Sequence, residues 1–472
     1  MTASAKSAER SLRRFFGTQD MTQGNPMRNL LMFSIPLLIG NLAQQLYSTA
    51  DSIIVGNFVG DNALAAVGAS GPVINLLLVL FMAISTGVGI MVSQYFGARD
   101  RDALSRSIGN ALVLVLITGV LMTVAGVALS RPIMEWLDTP VENDVLEMSV
   151  TYLTIIFAGI IGPAIYNMVS GILRGMGDSV TPLIFLLIAC ALNIVLDYLL
   201  VAIVPWSVAG AAVATIFSQL VSAVLCVLRL FRMRDAIDLN RRTVRLDMPL
   251  TRRLLKLGLP AGITQGVFSM AMIIVQSLTN SMGQTVMACS VAVMRVDGFA
   301  MLPNFTFGMA TSTFVGQNIG ARRMDRVEQG AKEAVKLSLL VAVILVVLLL
   351  LFGRTLISWF SSTEELLDLG ERQLRILAVG YLAMAVMQVY SGIMRGAGDT
   401  MPSMWISLVT SVAVRVPVAY LLAALTRSPE WPNGSPDSLY VSLLVSWVLG
   451  AALNYAWCRR GRWREKSVVS VP

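Results

Sequence analysis

The chain has 472 residues, of which 56% are hydrophobic and 14% charged, with a formal net charge of +8. Apolar stretches of about 20 residues recur along nearly its whole length, each long enough to cross a bilayer as a helix, which excludes a set of soluble domains. The absence of histidine removes imidazole as a metal ligand or proton relay and leaves carboxylates for any proton chemistry.

The first 29 residues carry Lys6, Arg10, Arg13, Arg14 and Arg28 without the apolar core and small-residue cleavage site of a signal peptide. They read as an uncleaved cytoplasmic segment. Apolar runs between charged or Gly/Pro-rich breaks predict helices at 30–55, 67–94, 108–129, 150–172, 181–202 and 207–228. After the basic connection 229–255 they resume at 256–279, 286–316, 334–353, 374–395, 402–424 and 438–458, followed by the tail 459–472. The expected fold is an all-α polytopic membrane protein with twelve transmembrane helices in two six-helix lobes, 30–228 and 256–458.

Charge bias tests that count, because Lys and Arg in short loops collect on the cytoplasmic side. Counting residues at the span ends with the adjoining loops, 29 of the 36 Lys and Arg lie in the termini and even-numbered loops, five in odd loops and two, Arg295 and Arg415, deep within spans. The pattern predicts a multi-pass protein with both ends cytoplasmic; a bacterial inner membrane is the expected location. The basic linker and tail read as solvated segments attracted to anionic lipid headgroups rather than to nucleic acid. Cys190, Cys226, Cys289 and Cys458 are scattered singly, with neither disulfide nor metal spacing.

The halves repeat. "SGILRGMGDSVTP" (170–182) returns as "SGIMRGAGDTMP" (391–402), "QYFGARD" (94–100) as "QNIGARR" (317–323), and "SIPLLIGN" (34–41) as "GLPAGITQ" (258–265). Six helices per copy gives both lobes the same direction through the membrane, an arrangement that permits alternating access. Pro36 and Pro260 lie early in the first helix of each half, where the missing backbone donor favours a bend, static or moving. The motif glycines allow close helix approach or end the helix.

The halves differ in their acids. An aspartate inside a span costs on the order of 2.5–3.5 kcal/mol by insertion scales and marks a functional candidate. Asp51 aligns with Val275, and Asp197 with Pro417 or Ala419, so these acids belong to the first half alone. Depth places both toward the outer part, with Asn193 one turn before Asp197 on the same face and Tyr152 and Thr215 at a similar level. Such a group suits a shared proton or a hard monovalent cation held by oxygens; helix packing is the structural alternative. Gln44 and Tyr47 share the Asp51 face and are candidate cavity residues. Arg295, Asp297 and Arg415 have opposite charges available to pair and read as structural.

The motifs "GNPMRNLLMFSIPLLIGNLAQQLYSTADSIIVG", "ALAAVGAS", "RGMGDSVTP", "LNIVLDYLL" and "VGQNIGA" resemble the multidrug and toxic compound extrusion family over nearly the whole chain. The resemblance implies export of amphipathic, often cationic organic compounds by antiport with H⁺ or Na⁺, without a cofactor, enzymatic activity or a metal other than Na⁺. It also implies a coupling site at Asp51, Asn193, Asp197 and Thr215 with Tyr152 beside it, and a kinked first helix at Pro36. The stretches matching the family's helix-seven and helix-ten acids contain none here, which points to the branch whose coupling acids are confined to the first lobe. The expected partners are small organic substrates and membrane lipids, with the chain a monomer. A lipid-linked oligosaccharide flippase of the same superfamily is the alternative; a membrane-embedded enzyme and a passive channel rank behind it.

Overall fold

The structure, a computed structural model, describes residues 18–137, 139–140, 144–204, 206–360, 363–429 and 431–469. The basic residues Lys6, Arg10, Arg13 and Arg14 of the expected N-terminal segment lie outside the described residues. So do parts of the acidic loops near 141–143 and 361–362.

Apolar side chains favour helix here because a helix satisfies its own backbone donors and acceptors, which lipid cannot do. The first half forms α1 (Pro26–Phe58), α2 (Asp61–Ala98), α3 (Arg101–Trp136), α4 (Val145–Ala158), α5 (Ile161–Gly175), α6 (Val180–Asp197) and α7 (Ser207–Arg232). The second forms α8 (Met248–Ser281), α9 (Gln284–Gly320), α10 (Met324–Ser358), α11 (Glu364–Ala397), α12 (Thr400–Leu408), α13 (Arg415–Leu425) and α14 (Asp437–Arg459). A π-helical segment, Tyr198–Ile203, continues α6, and another, Val409–Val414, joins α12 to α13. Eleven described spans are long and apolar enough to cross a membrane, and α4 with α5, bent by 50° at their junction, makes the twelfth. This is the twelve-span, two-bundle architecture expected from the sequence.

The molecule divides into two compact units, one of Met1–Asp20 with Ile35–Leu259, the other of Met21–Ser34 with Pro260–Pro472. The divisions fall inside α1 and α8, beside Pro36 and Pro260. Both prolines lie within helices that run on unbroken. In the first unit the chain ahead of α8 docks on α3: Asp247 N donates to Asn110 Oδ1 at 2.8 Å and Thr251 Oγ1 to the same oxygen at 3.0 Å. In the second, the chain ahead of α1 docks on α9 and α10. Met21 N donates to Gln317 Oε1 at 2.9 Å, and Arg326 Nη1 to the Gly24 carbonyl at 2.9 Å.

Glycines set the closest helix crossings, and the repeat extends to this detail. A Cβ on Gly171 of α5 would lie 2.4 Å from Ser85 Oγ and 2.8 Å from Ser85 O on α2. A Cβ on Gly392 of α11 would lie 2.4 Å from the Gly308 carbonyl on α9. Other glycines of the same motif end helices: Gly398, at φ 90°, closes α11 in the left-handed conformation that L side chains avoid. Both roles expected of the motif are filled, by different residues. Outside the crossings, α3 and α10 turn stripes of exposed apolar residues outward, among them Val120, Leu121 and Val124 on α3, and Ile344, Leu348 and Leu351 on α10.

Candidate functional site

Tyr47 and Asp51 sit one turn apart on α1 and so share a face. The hydroxyls around them are already committed: Ser48, Thr49 and Ser52 donate to the carbonyls four residues back at 3.2, 3.0 and 3.0 Å. The phenol and the carboxylate are what α1 offers to its neighbours. Tyr47 Oη donates to Thr215 Oγ1 of α7 at 3.4 Å.

Asp197 ends the α-helical part of α6 and is completely buried, as is Asn193 one turn earlier. The widened π turn begins at the next residue, and such turns recur at functional sites because they reorient side chains within a helix. The carboxylates of Asp51 and Asp197 are neighbours, brought together from α1 and α6. Asp51 Oδ1, both Asp197 oxygens and both polar side-chain atoms of Asn193 are buried without a well-formed hydrogen bond among the described residues, although Asn193 lies beside Asp197. No ion pair between described residues includes either acid. Two like charges out of water, without a cation, are strongly unfavourable, so the pair is chemically suited to hold a proton or a small monovalent cation.

Tyr152 of α4 lies within electrostatic reach of Asp51, Tyr47 and Asp197. It also belongs to an apolar cluster with Val55, Val201, Val208 and Ala211, which ties the polar group into the packed core. Asp51, Asn193, Asp197, Thr215 and Tyr152 therefore come together. Tyr47, read from the sequence as a cavity residue, is the link to Thr215, whereas Gln44 on the same helix is exposed. Cys190, one turn before Asn193, also lies close to Tyr47; nothing in its single occurrence points there.

In the second half the intramembrane charges Arg295, Asp297 and Arg415 form no ion pair with one another. Arg295 is exposed. Asp297 Oδ1 accepts the Tyr381 hydroxyl at 2.6 Å, and Arg415, 5% exposed, directs Nη1 and Nη2 at the sulfur of Met272, each at 3.7 Å. Among the described residues no group of three or more His, Cys, Asp and Glu could hold a metal ion.

Twelve apolar helices in two repeats, with polar groups gathered inside the first, define a multi-pass helical membrane protein. The chain belongs to the MatE family, whose model matches it twice, over residues 36–199 and 260–421, so that the two matches follow the internal repeat. It is 30% identical over 457 residues to the probable multidrug resistance protein YpnP of Bacillus subtilis, covering 96% of this chain and 99% of that protein. It is 29% identical over 438 residues to the probable multidrug resistance protein YoeA of the same organism, covering 91% and 94%. In fold it is similar to a solved multidrug resistance MATE family transporter in an outward-facing conformation, with a TM-score of 0.87 at 24% identity over 95% of this chain and 98% of that one. It is thus a member of a family of multidrug efflux transporters that act on small molecules.

Proposed function

We propose that the chain is a secondary antiporter of a bacterial inner membrane, exporting amphipathic, often cationic organic compounds in exchange for H⁺ or Na⁺ by alternating access. Both termini are cytoplasmic in this reading, in keeping with the 29 of 36 Lys and Arg in the termini and even-numbered loops. The observation that carries it is the neighbouring pair Asp51 and Asp197, from separate helices and without a cationic partner among the described residues.

An incoming H⁺ or Na⁺ neutralises one of the two carboxylates and relieves their repulsion; losing it to the inside restores the charge. For H⁺ the acids are sufficient. For Na⁺, the Asn193 carbonyl and the Thr215 hydroxyl add neutral oxygens suited to a hard cation. One elementary charge crossing 100 mV supplies about 2.3 kcal/mol, so an ion gradient acting through this pair can drive an uphill export. A lipid-linked oligosaccharide flippase is not favoured, since the relatives YpnP and YoeA are named for multidrug resistance.

The test is ethidium efflux from cells and from proteoliposomes under an imposed sodium gradient and then an imposed pH gradient. Wild type responds to one of them, and Asp51→Asn responds to neither. Efflux by the mutant equal to wild type would remove the acid pair from the mechanism.

A further inference from the structure

The second half contains a cavity bordered by Met272, Gln276, Ser290, Asp297, Arg415 and Tyr440. Its lining is mostly apolar with a few convergent polar groups. Its borders come from the late turns of α8, the early turns of α9 and α14, and the start of α13. Two of its residues carry opposite charges that lie within electrostatic reach of each other but form no direct ion pair. The Asp297 carboxylate takes its hydrogen bond from Tyr381 at 2.6 Å. The guanidinium of Arg415 faces the thioether of Met272, and its Nε has no partner among the described residues.

Burying a guanidinium against sulfur leaves its hydrogen-bonding capacity poorly met, because a thioether is a weak acceptor. Such a cation calls for another group to meet it, because the Asp297 carboxylate on the same cavity wall acts on it only at a distance, without an ion pair, and keeps acceptor capacity beyond its one hydrogen bond from Tyr381. An anion alone would satisfy Arg415 but be repelled by Asp297; a cation alone would meet the reverse. A ligand carrying both charges satisfies both walls. Around them, Tyr440 Oη donates to Ser290 Oγ at 3.3 Å, which leaves the serine hydroxyl free to donate to an anionic ligand oxygen, while Val293 and Leu443 supply apolar lining. The π-helical segment Val409–Val414 ends at the residue before Arg415, a second irregularity of the kind that adjoins Asp197 in the first half.

We infer that this cavity is a binding site for a zwitterion, with the ligand's ammonium at Asp297 and its carboxylate or phosphate at Arg415. The ligand is a soluble amphoteric compound or a zwitterionic lipid headgroup, which share this charge pattern.

The inference is tested by calorimetric titration of the purified full-length protein in nanodiscs with three probes of one skeleton: phenylalanine, phenethylamine and 3-phenylpropionate. Phenylalanine binds at least tenfold more tightly than either singly charged analogue. Arg415→Gln reduces its affinity to that of phenethylamine, and Asp297→Asn to that of 3-phenylpropionate; each variant alone suffices should the other fail to fold. Nanodiscs of phosphatidylglycerol and of phosphatidylethanolamine separate the two sources. Equal phenylalanine binding in both assigns the site to a soluble zwitterion, and suppression by phosphatidylethanolamine assigns it to a headgroup. No preference for phenylalanine in phosphatidylglycerol discs, or a preference that survives both substitutions, would overturn the site. Equilibrium binding needs no ion gradient, so the outcome is independent of the coupling role proposed for Asp51 and Asp197.

Discussion

The two halves of the chain pack alike and differ in chemistry. Gly171 against Ser85 in the first half has its counterpart in Gly392 against Gly308 in the second, and in each half an arginine follows three residues later in the same motif. The polar interiors diverge: Asp51 faces Asp197 without a cation in the first, and Asp297 and Arg415 share a cavity without pairing in the second. A duplicated fold keeps its crossings because backbone contact there leaves no room for a side chain. It is free to vary its interior polar groups, since a span tolerates different charges so long as each finds a partner or a ligand.

The sharpest way to break that contrast is to move an acid across it. Asp51→Asn and Asp197→Asn each lower gradient-driven ethidium efflux by about tenfold or more, equivalent to at least roughly 1.4 kcal/mol. An added Val275→Asp, at the position the repeat pairs with Asp51, does not restore it. Rescue by that second change would show that the second half can form an equivalent site. The packing side of the comparison is tested by Gly171→Val and Gly392→Val. Each forces a side chain into a helix crossing and destabilises the protein by about 1–3 kcal/mol, read as a lowered midpoint of thermal unfolding in detergent; a tolerated valine at one crossing alone would mean that the likeness stops short of the helix contacts.

A smaller contrast lies in the motif aspartates. Asp178 accepts Thr181 N at 2.9 Å and Thr181 Oγ1 at 2.6 Å in the first turn of α6, whereas Asp399 accepts a longer hydrogen bond from Trp457 Nε1 at 3.4 Å. Asp178→Ala should cost about 1–2 kcal/mol, as loss of a helix-start acceptor does, and Asp399→Ala less, by the same unfolding measurement. The smallest effect expected is that of Thr215→Val, which removes the partner of Tyr47 and costs about 1 kcal/mol. If Na⁺ is the coupling ion it also weakens the response to a sodium gradient, while a response to a pH gradient persists if the ion is H⁺.

The meeting of Asp51 with Asp197 is legible from depth, because both helices rise from the same side and the helical repeat fixes which residues share a face. Tyr47 shows where that reasoning stops. Its helical face follows from periodicity, but whether it points at a cavity or at Thr215 depends on the rotation of α1 against α7. Arg415 shows the same limit: opposite charges on neighbouring spans suggest an ion pair, and only the packing of α8 puts Met272 at the guanidinium instead.

Composition, charge bias and internal repetition determined that the chain crosses a membrane twelve times as two repeats. Lipid offers the backbone no hydrogen bonds, so apolar length dictates helices, and loop arginines and lysines dictate their order of crossing. The tertiary structure decided which buried polar groups meet and which remain unmatched. Those outcomes depend on helix rotations and side-chain distances of a few ångströms, which neither periodicity nor hydropathy encodes.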